Sequence, residues 1–290
     1  MNWARYALGL LVLIAAVVPL ALACARFARA AVDASRPVLR WAVGLFTAVL
    51  GVVLTGQVLG IAGLYSRVPV LVAAWVLAAL LWFAAATLSA RAPLAAAEMA
   101  ATEPVPVSTA PAAGAGESAD DRRDWFRIVA WGVVVGICVT AFATSVLKPS
   151  YAPDAINYHL PDIANWVRDH DFWSVRQFQL GVYQNAYPMN AEVVSAFFVV
   201  PFGRDFLVNL GVLVQFALVV ASVGALAEHF GARRAGDAAL VGLAAASIPV
   251  VATSHLGSVG FDLLPIAAVA LAVLGAERWR RTEAPGDLAL

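Results

Sequence analysis

Apolar positions along this chain fall in long unbroken stretches divided by short polar links, the pattern of helices that cross a bilayer rather than of one-faced soluble elements. Runs long enough to span ~30 Å of hydrocarbon as helices occupy Ala7 to Ala25, Trp41 to Leu64, Val68 to Leu88, Ile128 to Leu147 and Phe206 to Ala227. Two shorter runs, Ala238 to Thr253 and Phe261 to Ala276, carry Pro249 and Pro265, with Gly257 and Gly260 between them. The fold class expected is all-α, a polytopic membrane protein of about seven transmembrane helices. A further run begins at Asp287 to Leu290, as expected of the N-terminal part of a longer protein.

Arginine placement orients these spans, because short cytoplasmic loops carry an excess of Lys and Arg. The links holding Arg26, Arg29, Arg36 and Arg40, then Arg91, Arg122, Arg123 and Arg127, then Arg233 and Arg234, then Arg278, Arg280 and Arg281 belong inside. The N-terminus and the links Tyr65 to Arg67, Lys148 to Asp205 and Ser254 to Gly260 then face outward, in an inner or plasma membrane. A cleaved signal ending at "LALAC" fits less well, since its apolar run exceeds the usual signal core and the next four arginines would lie on the wrong side.

Between Arg91 and Asp121 the chain turns to Ala, Pro, Glu, Ser and Gly without aromatic residues or periodicity, the composition of a disordered cytoplasmic linker. The expected organisation is a three-span N-terminal module (1–90), a linker (91–124) and a second membrane part (125–290) with a large outward loop (148–205). Composition agrees: 62% of residues are hydrophobic, 13% are charged and the formal net charge is zero. No basic stripe mixed with aromatics follows a phosphate backbone, so nucleic acid is not an expected partner. Cys24 and Cys138 sit in apolar runs, which excludes a disulfide framework or a CxxC metal site.

The outward loop is the polar, aromatic exception. Ile156, Leu160, Ile163 and Val167 recur at helical spacing, and Pro161 suits a first turn. Trp166, Phe172, Trp173, Phe178, Tyr183 and Tyr187 supply rings that settle at headgroup depth, so amphipathic interfacial helices lying flat on the membrane are expected. Asp154, Tyr158 and Asp162 would face away from the greasy side. Ala191 to Val200 is too short to cross and reads as a second flat or re-entrant helix.

The order of a span, an outward loop opening with "PDAINYHLPDIANW", then "YPMNAE" before an apolar segment, and later "SHLGSVGFDLLP", resembles the GT-C superfamily of membrane glycosyltransferases. The likeness is strongest to the branch holding protein O-mannosyltransferases and lipid A aminoarabinose transferases. It covers Ile128 onward; the first three spans have no counterpart. The resemblance implies transfer of a sugar from a polyprenyl-phosphate donor to a lipid, glycan or protein acceptor at the outer membrane face. Asp154 matches the loop Asp that serves as base or metal ligand, leaving a divalent metal ion open as cofactor. Tyr158, His159, Glu192, His255 and Asp262 are the substrate-binding candidates. One carboxylate acting against a phosphate leaving group favours direct displacement with inversion. His159, Arg168, Arg176 and Arg204 are candidates to meet the phosphate charge.

Each candidate also has a plainer explanation. Asp154 can cap the helix after it, and His159 can be an interfacial histidine bonded to backbone. Asp162 reads best as a solvated-face residue, and Glu192 as helix-start electrostatics behind an Asn190 cap. Asp262 near the outer end of a broken span is costly to leave facing lipid, and Asn209 and Gln215 suit helix-to-helix hydrogen bonds. A secondary transporter would share the broken spans and Asp262 but place its site at the midplane. A non-catalytic envelope assembly protein would share only the hydropathy.

Overall fold

The structure, a computed structural model, describes residues 3–102, parts of 125–143, and residues 155–173, 189–232, 234–248 and 263–282. Every regular element among them is helical: α1 (Trp3–Ala31), α2 (Pro37–Ile61), α3 (Arg67–Thr102), α4 (Leu160–Asp169), α5 (Asn190–Val199), α6 (Asn209–His229), α7 (Ala235–Ala246) and α8 (Leu263–Thr282). Among the described residues, four segments are long and apolar enough to cross a membrane: α1, α2, the Arg67–Ala90 part of α3, and Asp205–His229. Of the run from Ala238, the described residues hold the 12-residue α7, about 18 Å at the helical rise and short of a full span by itself.

Local chemistry explains the boundaries. Pro37 and Pro161 stand in the first turns of α2 and α4, where a missing N–H costs nothing. His170, at φ 64°, ends α4 in a left-handed turn. The Ala-rich stretch after Arg91 prolongs α3 to Thr102, since alanine is the strongest helix former. The first residues of the expected linker are therefore helical, and 103–124 lies outside the described residues.

Packing joins the front three helices to the later ones. α1 lies against α2 and α3, while α2 also packs on α5 and α6, and α6 carries α7 and α8 on its flank. One apolar cluster includes Leu13 and Val52 from the front together with Val193 and Phe216 from the rear. Close approach depends on small residues: a Cβ on Gly211 of α6 would strike the Ser195 backbone of α5. Gln215 Nε2 donates to the Ala191 carbonyl at 3.3 Å, the helix-to-helix hydrogen bond expected of it.

Contacts at the helix termini define two ends of the bundle. At one, Leu39 N–H donates to Glu228 Oε2 at 3.1 Å, so the C-terminus of α6 meets the start of α2, and Leu274 of α8 joins Leu39 in a second apolar cluster. At the other, Phe172 N–H donates to the Gly60 carbonyl and Tyr65 N–H to the His170 carbonyl, fastening α4 to the α2–α3 link. The turn 200–208 lies there too, with Phe202 and Phe206 against Tyr6 near the start of α1.

Two expectations about the loop change. Trp166, expected at headgroup depth, is only 2% exposed; its ring meets Phe172, which in turn meets Tyr65. Packing these rings against one another removes a large apolar area from water. α5, expected as a flat or re-entrant helix, does not take the flat form: every residue from Ala191 to Val200 is buried, because α2, α4 and α6 enclose it.

Candidate functional site

α4 builds two different surfaces, one on each face. Its polar face is turned inward against α5. His159, Asp162 and Asn165 are buried there, as is Glu192 in the first turn of α5. His159 Nδ1 lies 2.8 Å from Glu192 Oε1, and the Tyr158 ring sits 3.9 Å from the imidazole, centroid to centroid. The pair ties the π-type turn Ala155–His159, immediately after Asp154, to the centre of the bundle.

Asp162 completes this seam. Among the described residues its Oδ1 has no hydrogen-bond partner, nor do Glu192 Oε2 and Ser195 Oγ. Burial, and then the facing Glu192 carboxylate, pushes Asp162 up to about 6. An ionised carboxylate loses hydration inside the protein and meets a like charge, so the protonated form gains. The seam can thus hold or accept a proton near neutral pH. No three His, Cys, Asp or Glu side chains among the described residues group to hold a metal ion.

The apolar face of α4 closes a cleft of about 940 Å³. Ile156, Leu160, Ile163 and Val167, the stripe legible in the sequence, form its greasy wall with Val199 and Val200. Four arginines also line it: Arg5 from α1, Arg67 from α3, Arg168 from α4 and Arg204 from the 200–208 turn, with Asp205 as the carboxylate in the wall. Arg67 Nε donates to the Val200 carbonyl at 3.4 Å. Arg168 reaches both Asp169 oxygens, at 2.8 and 2.9 Å, and Asn165 Oδ1 at 2.7 Å. Gly203, at φ 61°, turns the chain where a side chain would intrude: the position of its missing Cβ is 3.2 Å from Arg5 Nη2 and 3.7 Å from Arg67 Nη2.

Of the residues singled out by sequence, the structure brings together Tyr158, His159 and Glu192. Asp162 is corrected from a solvated residue to a buried one, because α5 covers the polar face of α4. Glu192 does stand in a first turn, but the cap position is Met189 without a side-chain bond, and its carboxylate is committed to His159. His159, for which backbone was one expected partner, bonds the Glu192 carboxylate. Asp154, His255 and Asp262 lie outside the described residues. The sequence alone assigns no role to Arg5 and Arg67; the available signal is that each is a cation in a segment expected to face outward, where the charge rule expects few.

No family model, curated protein or solved structure matches the chain.

Proposed function

We propose that this protein is a membrane glycosyltransferase of the GT-C type, taking a sugar from a polyprenyl-phosphate donor to an acceptor at the outer membrane face. One observation carries the reading: α4 presents ionisable groups on one face and closes an apolar, arginine-lined cleft with the other. An enzyme acting on a lipid-anchored sugar needs both within one helix diameter. In this reading the N-terminus, the α2–α3 link, α4 and the cleft face outward. The cluster of Arg29, Arg36, Arg40, Arg234, Arg278 and Arg280 at the opposite end supports that orientation. About seven spans are proposed for the chain, including the run 128–147 and the two short ones.

In the proposed step an acceptor hydroxyl oxygen attacks the anomeric carbon as the bond from that carbon to the phosphate oxygen breaks. The lipid phosphate leaves with the bonding electron pair, and the hydroxyl proton passes to the Asp154 carboxylate, inverting the sugar carbon. His159, held by Glu192, anchors the turn next to Asp154, a positioning role. Arg168 and Arg204 offset charge developing on the leaving phosphate. The test is transfer of radiolabelled sugar from a polyprenyl-phosphate donor by purified protein, wild type against Asp154→Asn. Transfer lost in the variant supports the reading; no transfer by wild type, or ion-coupled uptake into vesicles instead, contradicts it.

A further inference from the structure

α4 is fastened to the bundle differently at its two ends. Toward its C-terminus the ties are backbone hydrogen bonds: Tyr65 N–H donates to the His170 carbonyl at 2.8 Å and Phe172 N–H to the Gly60 carbonyl at 3.1 Å. The Trp166 ring packs on Phe172 beside them. Toward its N-terminus the tie is made of ionisable side chains, His159 Nδ1 on Glu192 Oε1 at 2.8 Å, with Asp162 in the first turn of the helix. Among the described elements α4 packs broadly only on α5 and on the π-type turn before it. Such a turn breaks the α-helical ladder, which is where a hinge is placed at least cost.

The N-terminal tie holds more acid than base. α5 brings Glu192 to Asp162, and the π-type turn brings His159 and Tyr158. The helices behind add no charge at this depth, since α2 has no ionisable residue after Arg40 and α6 has none before Glu228. Other charged and titratable groups around α4 are engaged elsewhere. Arg168 is paired with Asp169, Tyr65 packs on Phe172, His170 lies against the Tyr65 carbonyl, and Arg5, Arg67, Arg204 and Asp205 line the cleft on the apolar side. Two desolvated carboxylates that face one another are costly to ionise together, and even a protonated imidazole offsets only one of them. Asp162 Oδ1 and Glu192 Oε2, buried without a hydrogen-bond partner among the described residues, are the oxygens left to hold one proton.

We infer that this seam is a proton-operated latch: while Asp162 and Glu192 share one proton α4 stays seated on α5, and loss of that proton to water frees the N-terminal end of α4, with the turn before it, about a pivot at Trp166 and Phe172. Ile156, Leu160 and Ile163 belong to the freed part and to the apolar wall of the cleft, so its release opens the cleft on that side. Burial holds the seated Asp162 carboxyl up to about 6, whereas a freed one titrates near ~3.9. Seating is therefore favoured in acid and weakens as pH rises through ~6. In the outward orientation proposed above the latch reads the pH outside the membrane. The latch itself rests on neither that orientation nor sugar transfer.

Hydrogen–deuterium exchange of the full chain in a neutral detergent, at pH 4.5 and pH 8 and corrected for intrinsic exchange rates, tests the inference. A ten-residue helix off its support is marginal in water. Amides of residues 156–164 should therefore lose more than about tenfold of their protection at pH 8, out of the roughly hundredfold that a carboxyl held at about 6 instead of ~3.9 permits. The Tyr65 and Phe172 amides at the pivot should keep theirs, which separates release of α4 from global unfolding. Asp162→Asn, which cannot ionise, should retain protection at pH 8, and Glu192→Gln, which removes the opposing charge, should shrink the loss. If Asp162→Asn does not fold, the wild-type profile and Glu192→Gln still decide. Equal protection of 156–164 at both pH values in wild type, an undiminished loss in either variant, or an equal loss at Tyr65 and Phe172 would overturn the latch.

Discussion

Replacing Asp162 by Asn should make the protein more stable at alkaline pH and leave it little changed in acid. The ordinary carboxyl of an unfolded Asp titrates near ~3.9, whereas burial and Glu192 hold this one up to about 6. Between those values the folded chain keeps a proton that the unfolded chain releases. Stability therefore falls as pH rises from ~4 through ~6, and the penalty is complete above that. Two pKa units correspond to about 3 kcal/mol, an upper bound because the amide of Asn still needs partners in the seam. Thermal unfolding followed by tryptophan fluorescence in a neutral detergent, at pH 4.5 and pH 8, measures it. The variant should melt several degrees above wild type at pH 8 and above it by only about a third of that margin at pH 4.5. An equal gap at both values, or a wild type more stable than the variant at pH 8, would show that Asp162 is neither desolvated nor opposed by Glu192.

Other consequences follow from the packing. Glu228→Ala removes the oxygen that accepts Leu39 N–H and should cost about 0.5–2 kcal/mol, the usual loss of a helix-start acceptor, with Glu228→Gln costing less. Gly211→Ala drives a methyl into the Ser195 backbone and should cost about 1–3 kcal/mol through displaced helices; both are read as melting temperatures. In intact cells, a cysteine placed at Ser66 should react with an impermeant thiol reagent and one at Ser35 should not. The reverse pattern would invert the proposed orientation.

Much of the helical framework was legible in the chain because hydropathy is a local property. α1, α2, the first part of α3, and α6 lie where the apolar runs put them, and the spacing of Ile156, Leu160, Ile163 and Val167 gave α4 its correct stripe. What covers each face of α4 was not legible. In a membrane protein an apolar stripe can meet lipid, another helix or a cleft, and the choice rests on partners far along the chain. Glu192 reaches His159 across 33 positions, and α5 buries Asp162 from the far side of residues 174–188. Similarly, Trp166 carries the composition of a headgroup anchor but finds Phe172, which in turn meets Tyr65. The cleft was hidden for the same reason: Arg5 and Arg67 acquire meaning only when α1 and α3 meet Gly203.

Sugar transfer is the claim on which the functional account turns. In proteoliposomes holding the full-length protein, a labelled polyprenyl-phosphate sugar should yield a glycosylated acceptor whose anomeric configuration is opposite to the donor's, and Asp154→Asn should abolish it while the protein remains folded. A product that retains the donor's configuration, or transfer that continues undiminished in Asp154→Asn, would contradict the mechanism at its centre.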